Sequence, residues 1–139
     1  LAAESRRRGL PVPAAVFAVQ PPEPDGTAAK LIAAVPAATR VVVLAGEDDD
    51  RVGEGPREVW DLVEVPGSYV EVRSDDHGEP ALTADHFFPL SGAADEPDAL
   101  DRALWQVLDD IIAGRPVKAD IGAWSDGTAI APLEVTNSA

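Results

Sequence analysis

This sequence predicts an α/β fold built on a parallel sheet. Three observations carry that reading. Short apolar runs alternate with helical segments from Leu10 to Arg73. The run Val41–Ala45 is apolar at every position, as suits a strand covered on both faces. A long amphipathic segment after Pro97 supplies a helix that needs a sheet to lie on.

The elements follow in order. L-A-A-E-S-R-R-R-G reads as a helix that ends in basic residues and stops at Gly9. A chain that opens inside such a helix leads us to expect further sequence before Leu1. Ala14 to Val19, bracketed by prolines, reads as a buried strand, and Pro21 to Asp25 as a loop. Ala28 to Ala34 forms a short helix before Pro36, and Thr39 to Ala45 is the second strand. Glu58 to Val63 makes one or two helical turns, Pro66-Gly67 a turn, and the alternating S-Y-V-E-V-R of Ser68 to Arg73 a third strand. Ser74 to Pro97 is loop-like, with a short helix expected around Ala81 to His86. From Pro97 the residues Leu100, Leu104, Leu108, Ile111 and Ile112 recur at helical spacing until Gly114 and Pro116. The tail, 115–139, is less regular, with W-S-D-G at Trp124 to Gly127 marking a turn between short extended pieces. Three strands make a small sheet with an unpaired edge, which fits part of a larger sheet better than a complete one.

Composition narrows the function. With 139 residues and 45% hydrophobic content the chain is long enough for one domain with a real core. A net charge of -14 opposes binding to nucleic acid or anionic lipid, and the only basic cluster, Arg6-Arg7-Arg8, reads as a solvated helix face. Cysteine is absent, which excludes disulfides, thiolate metal sites and a cysteine nucleophile. No apolar stretch approaches the ~20 residues of a membrane-spanning helix, no signal peptide is visible, and the compartment and oligomeric state stay open. No cofactor-binding motif is present.

The chemistry gathers behind the strands, because in open α/β sheets loops converge at the carboxyl ends. Asp48, Asp49 and Asp50 follow the second strand, and His77, in S-D-D-H-G, follows the third. Parallel neighbours would bring an acid and an imidazole together, and a carboxylate on one ring nitrogen frees the other as a general base. His86, in A-D-H-F-F, is the alternative base. His77 is preferred, since it follows the strand more directly and Gly78 lets the backbone turn. The plainer reading is that the aspartates are solvated or cap the next helix and the histidine is an ordinary loop residue. A metal site is the rival chemistry, but the calcium-loop pattern fails at Val52 and no H-E-x-x-H occurs, so no metal is expected.

The motifs G-E-D-D-D-R-V, with Gly46, Asp49 and Val52 in a G-x-x-D-x-x-V pattern, and S-Y-V-E-V-R-S-D-D-H-G, with His77, resemble the acid and histidine segments of the α/β-hydrolase fold superfamily. L-P-V-P-A-A-V-F-A-V-Q-P looks like that fold's sixth strand, L-A-A-E-S-R-R-R-G like the end of the helix after the nucleophile elbow, and the helix from Pro97 like the final helix. The stretch S-D-D-H-G-E-P-A-L-T-A-D-H-F-F-P-L is similar to hydrolase-like bacterial proteins. The resemblance covers most of residues 1–139. It implies a single partial domain, the C-terminal half of that fold: a three-layer sandwich fragment of parallel strands with flanking helices. It implies a serine hydrolase acting on small-molecule esters, with Asp49 as triad acid and His77 as base. The family's G-x-S-x-G elbow does not occur in this chain, so the resemblance places the nucleophile before Leu1, and the chain alone is expected to be inactive. Ser125, in W-S-D-G, is not a convincing substitute, as it follows the histidine and lacks the first glycine. The alternatives are a non-catalytic hydrolase-fold binding or interaction module, and a self-contained acidic domain that binds a partner through its loops.

Overall fold

Five consecutive apolar residues, Val41 to Ala45, need cover on both faces of whatever strand they form. The computed structural model describes residues 2–75, 77, 81–88 and 97–139, and in it all five are buried. In chain order the elements are α1 (Ala2–Arg7), β1 (Ala15–Val19), α2 (Gly26–Ala33), β2 (Arg40–Gly46), α3 (Gly55–Asp61), β3 (Gly67–Val72), α4 (Pro97–Ile112), β4 (Gly122–Ala123), β5 (Ala129–Ile130) and β6 (Glu134–Ser138). The main sheet has the order β1-β2-β3-β6. β1, β2 and β3 run parallel, with Ala15 opposite Arg40 and Val41 opposite Gly67, and β6 closes the sheet antiparallel to β3. The protein is thus an α/β fold, with a mostly parallel sheet flanked by helices.

Strand alternation sorts the side chains into two cores. Val42, Leu44, Val70 and Val72 face α4, meeting Leu100, Leu104, Val107 and Ile111. Val41, Val43, Ala45 and Tyr69 face the opposite way, toward Val59 of α3 and the partly buried Ile32 of α2. The crossover helices α2 and α3 lie on the same face, as successive crossovers of one hand in one direction require. Each fully buried Val or Leu contributes roughly 1.5–3 kcal/mol, so β2, β3 and α4 together carry much of the stability. Along α4 the expected stripe is mostly inward, but Ile112 is 53% exposed, with Ala103 and Val107 buried in the interface. Ile112 follows Ile111 directly, and adjacent helical residues point about 100° apart.

Local chemistry fixes the ends of these elements. Asp25 caps α2, its Oδ1 accepting from the amides of Thr27 and Ala28 at 2.9 and 2.7 Å, so the helix starts earlier than the apolar pattern from Ala28 indicates. Pro56 sits in the first turn of α3, where its missing N–H costs nothing. Arg6, Arg7 and Arg8 are exposed, and Arg7 and Arg8 both pair with Glu4.

Three expectations are corrected. β1, expected as a buried strand, is the edge of the sheet, with none of its residues fully buried and Val19 42% exposed, because only β2 pairs with it. The sheet has four strands, not three: the polar segment Glu134–Ser138 pairs with β3 in an antiparallel backbone ladder, braced by side-chain bonds that hydropathy does not register. Asn137 Oδ1 accepts from Ser68 Oγ and from the Val117 amide, its Nδ2 donates to the Val117 carbonyl, and Glu134 takes a two-pronged bond from Arg57. The helix expected around Ala81 to His86 does not form. Its backbone groups bond elsewhere: the Ala84 amide donates to Ser74 Oγ, the Ala84 carbonyl accepts from the Asp48 amide, and the Leu82 amide donates to the His77 carbonyl. The W-S-D-G turn is the tip of the β4–β5 hairpin, with Gly127 at φ +86°.

Candidate functional site

The triple aspartate divides by burial. Asp48 and Asp50 are exposed while Asp49 is only 7% exposed. Beyond the last paired residue of β2 the chain turns back over the sheet, closed by Asp49 N–H to the Gly46 carbonyl at 3.3 Å, and this turns the middle carboxylate inward. Asp49 Oδ1 accepts from the Arg51 amide at 3.0 Å, an Asx turn that fixes the carboxylate plane.

His86 meets that carboxylate. Its Nδ1 lies 2.9 Å from Asp49 Oδ2 and 3.2 Å from Oδ1. The carboxylate has only acceptors to offer, so Nδ1 carries the proton and Nε2 keeps its lone pair in the neutral ring. The imidazole side chain is one-third exposed and its partner 2% exposed: the carboxylate is shielded from water while the imidazole is partly open to it. Phe87 packs edge-on against the ring, with centroids 5.4 Å apart, and Arg51 lies over Phe87 at 4.8 Å.

His77, the base preferred from the sequence, is placed differently. Its ring stacks on Trp124 with centroids 5.1 Å apart and planes 11° from parallel, and Nε2 faces Asp126 Oδ2 at 3.3 Å. Its amide donates to Asp75 Oδ1 at 3.0 Å. The β4–β5 hairpin therefore captures His77, and Asp49 is left to the alternative base, His86. Gly78, invoked for the turn after His77, lies outside the described residues. His77 Nδ1 and Trp124 Nε1 are buried without a hydrogen-bond partner among the described residues. The hydrogen bond to His77 helps hold Asp126 below the usual carboxylate range, after the larger effect of the Thr128 amide and hydroxyl.

The loop bearing His86 lies across the carboxyl ends of three strands. After β3, Ser74 Oγ donates to Asp48 Oδ2 and accepts from the Ala84 amide. At the end of β2, Gly46 leaves room for the Ala84 carbonyl, which a Cβ there would meet at 2.2 Å. After β1, Gln20 Nε2 donates to the Asp85 carbonyl at 2.7 Å. Gln20 has φ +45°, the only such non-glycine residue among those described, and is 5% exposed. A left-handed backbone at such a residue costs about 1–3 kcal/mol. Sequence reading missed Gln20; its one signal was a polar residue between an apolar strand and a Pro-Pro pair.

A polar cavity of about 360 Å³ opens beside Asp49, lined in part by Glu47, Asp50, Arg57, Tyr69 and Glu71. Arg57 bonds Glu134 at 2.7 and 3.1 Å and lies 3.9 Å over the Tyr69 ring, while the Tyr69 hydroxyl donates to Glu71 at 2.9 Å. Burial, then the bond to Glu71, pushes the Tyr69 phenol far above its ordinary pKa. The bond from Arg57 holds Glu134 below the usual carboxylate range. The cationic wall is already neutralised, so this cavity offers no free positive charge to an anion.

Among the described residues no group of three His, Asp or Glu side chains is placed to hold a metal ion, and no helix is long and apolar enough to cross a membrane. No protein-family model, curated protein or solved structure matches this chain.

Proposed function

We propose that this chain supplies the acid and the base of a serine hydrolase that cleaves small-molecule esters, with Asp49 as the acid and His86 as the base. The observation that carries this reading is the pair itself: a buried carboxylate bonded to Nδ1 of a partly exposed imidazole, at the carboxyl ends of parallel strands. The resemblance of G-E-D-D-D-R-V to the acid turn of the α/β-hydrolase superfamily supports the same role for Asp49.

In this mechanism His86 Nε2 takes the proton from a serine hydroxyl as its oxygen attacks the ester carbonyl. The imidazolium, steadied by Asp49, returns that proton to the departing alkoxide, leaving an acyl-serine. Water then enters by the same route, giving its proton to Nε2, and the acid product leaves as the serine is reprotonated. This reading requires a serine supplied by a segment other than this chain, since no G-x-S-x-G is present in it. His77, tied to Trp124 and Asp126, takes no part.

The test is hydrolysis of a p-nitrophenyl ester by the polypeptide that includes the sequence upstream of Leu1. His86→Ala is expected to lower turnover by about 10³-fold or more, as loss of a triad member does, and His77→Ala to leave it within a few-fold. Loss with His77→Ala and retention with His86→Ala would overturn the assignment. An upstream segment with no serine at an elbow would overturn the catalytic reading in favour of a binding module.

A further inference from the structure

Regular structure gives the His86 loop little support, so the position of its ring depends on a few bonds from the strand ends below. Ser74 and Asp48 both act on Ala84, two residues before the histidine. Gln20 acts closer: its side-chain amide holds the Asp85 carbonyl at 2.7 Å. That oxygen belongs to the planar peptide unit that also contains the nitrogen and Cα of His86. Fixing it fixes the point from which the imidazole side chain departs.

Gln20 makes this bond from a backbone that non-glycine residues rarely adopt, at φ +45° and directly before Pro21, which narrows its choices further. The Gln20 amide still donates to the Leu44 carbonyl at 2.8 Å, extending the β1–β2 ladder by one residue. The chain therefore holds register and then turns left-handed at a residue whose side chain is buried and aimed at the loop. Gly46 keeps the path open, since a Cβ on it would lie 3.1 Å from Gln20 Nε2 as well as against the Ala84 carbonyl. A glycine at position 20 would accept the same φ without strain but could not reach Asp85.

The geometry points to Gln20 as a positioning residue for His86: its left-handed backbone aims the side-chain amide at the Asp85–His86 peptide and so holds Nδ1 against Asp49. This rests on the Asp49–His86 reading of the site and adds the group that sets the pair's alignment.

The experiment uses the 139-residue chain and needs no substrate. Ring nitrogen shifts of the two histidines, read through their carbon-bound protons, report each tautomer, and melting temperature reports stability. The parent is expected to hold His86 in the Nδ1–H form. Gln20→Gly, which relieves the backbone, should melt no lower than the parent, yet His86 should move toward the tautomer mixture of a free imidazole while His77 stays unchanged. Gln20→Glu, of equal length but without the N–H donor, should shift His86 in the same way. Parent-like His86 shifts in both variants would overturn the role of Gln20 alone. A fall in melting temperature with both histidines altered would overturn it in favour of general structural support. Absence of the Nδ1–H form in the parent would overturn the Asp49–His86 pair as well.

Discussion

Asp49→Asn keeps the shape of the site and changes only what it can offer His86. The Asp49 side chain is 2% exposed and accepts two contacts from His86 Nδ1 and one from the Arg51 amide. Asparagine can still accept from Arg51 through its carbonyl oxygen, but then turns an NH₂ toward Nδ1, which must become an acceptor. The proton moves to Nε2, which then has no lone pair free to accept another. A charge-assisted bond worth about 1.5–3 kcal/mol gives way to a neutral one worth about 0.5–1.5, a net loss of about 1–2 kcal/mol. Asp49→Ala is harsher. It leaves the partly buried Arg51 amide hydrogen bond without its acceptor at about 1–3 kcal/mol and loses the His86 bond, whose ring can still reach water, for a total of about 2–4 kcal/mol. With an unfolding entropy near 2.1 cal/mol/K per residue, each kcal/mol moves the midpoint of a chain this size by about 3–4 °C. Calorimetric melting of the two variants should thus show drops of roughly 3–8 °C for Asn and 6–16 °C for Ala. The ring nitrogens of His86 should exchange roles in the Asn variant. Equal melting of parent and Asn variant, with Nδ1 still protonated, would refute this reasoning, as would an Ala variant more stable than the Asn one.

The other expectations concern the two faces of the sheet. Phe88 is fully buried in the core beneath the His86 loop, so Phe88→Ala should cost about 3–5 kcal/mol in urea unfolding, and a cost below 1.5 kcal/mol would show that the segment is not packed as described. Tyr69 is the single tyrosine, so its ultraviolet titration is unambiguous. Phenolate absorbance should stay absent well beyond the ordinary value of 10.0, because burial and then Glu71 favour the neutral form. A pKa raised on folding contributes stability that is complete below the unfolded value and is lost as pH rises through the folded one. Alkaline unfolding should therefore coincide with the appearance of phenolate, and ionisation near the ordinary value in the folded chain would contradict the packing of Tyr69 on Glu71 and Arg57.

Much of this fold could be read from local rules. The apolar run at Val41–Ala45 dictated a doubly covered strand, the prolines around Ala15–Val19 bounded another, and the spacing of Leu100, Leu104 and Ile111 dictated a helix with one buried face. The first and last of these signals repeat over several residues and report burial, which is what periodicity measures; the proline-bounded strand formed but lies at the sheet edge, only partly buried. The fourth strand left no such trace, because Asn137 and Glu134 fasten it by hydrogen bonds to partners far away in sequence.

The site divides along the same line. The sequence by itself determined that acid and imidazole groups would collect at the carboxyl ends of the strands, since strand direction follows from the alternation of strands and helices. It also singled out Asp49, through its motif. Which histidine meets that acid was decided only by tertiary structure: the β4–β5 hairpin takes His77 through Trp124 and Asp126, and Gln20, Asp48 and Ser74 hold the later loop so that His86 reaches Asp49. Nearness along the chain favoured His77. The choice instead fell to contacts between segments far apart in sequence, which no local pattern encodes.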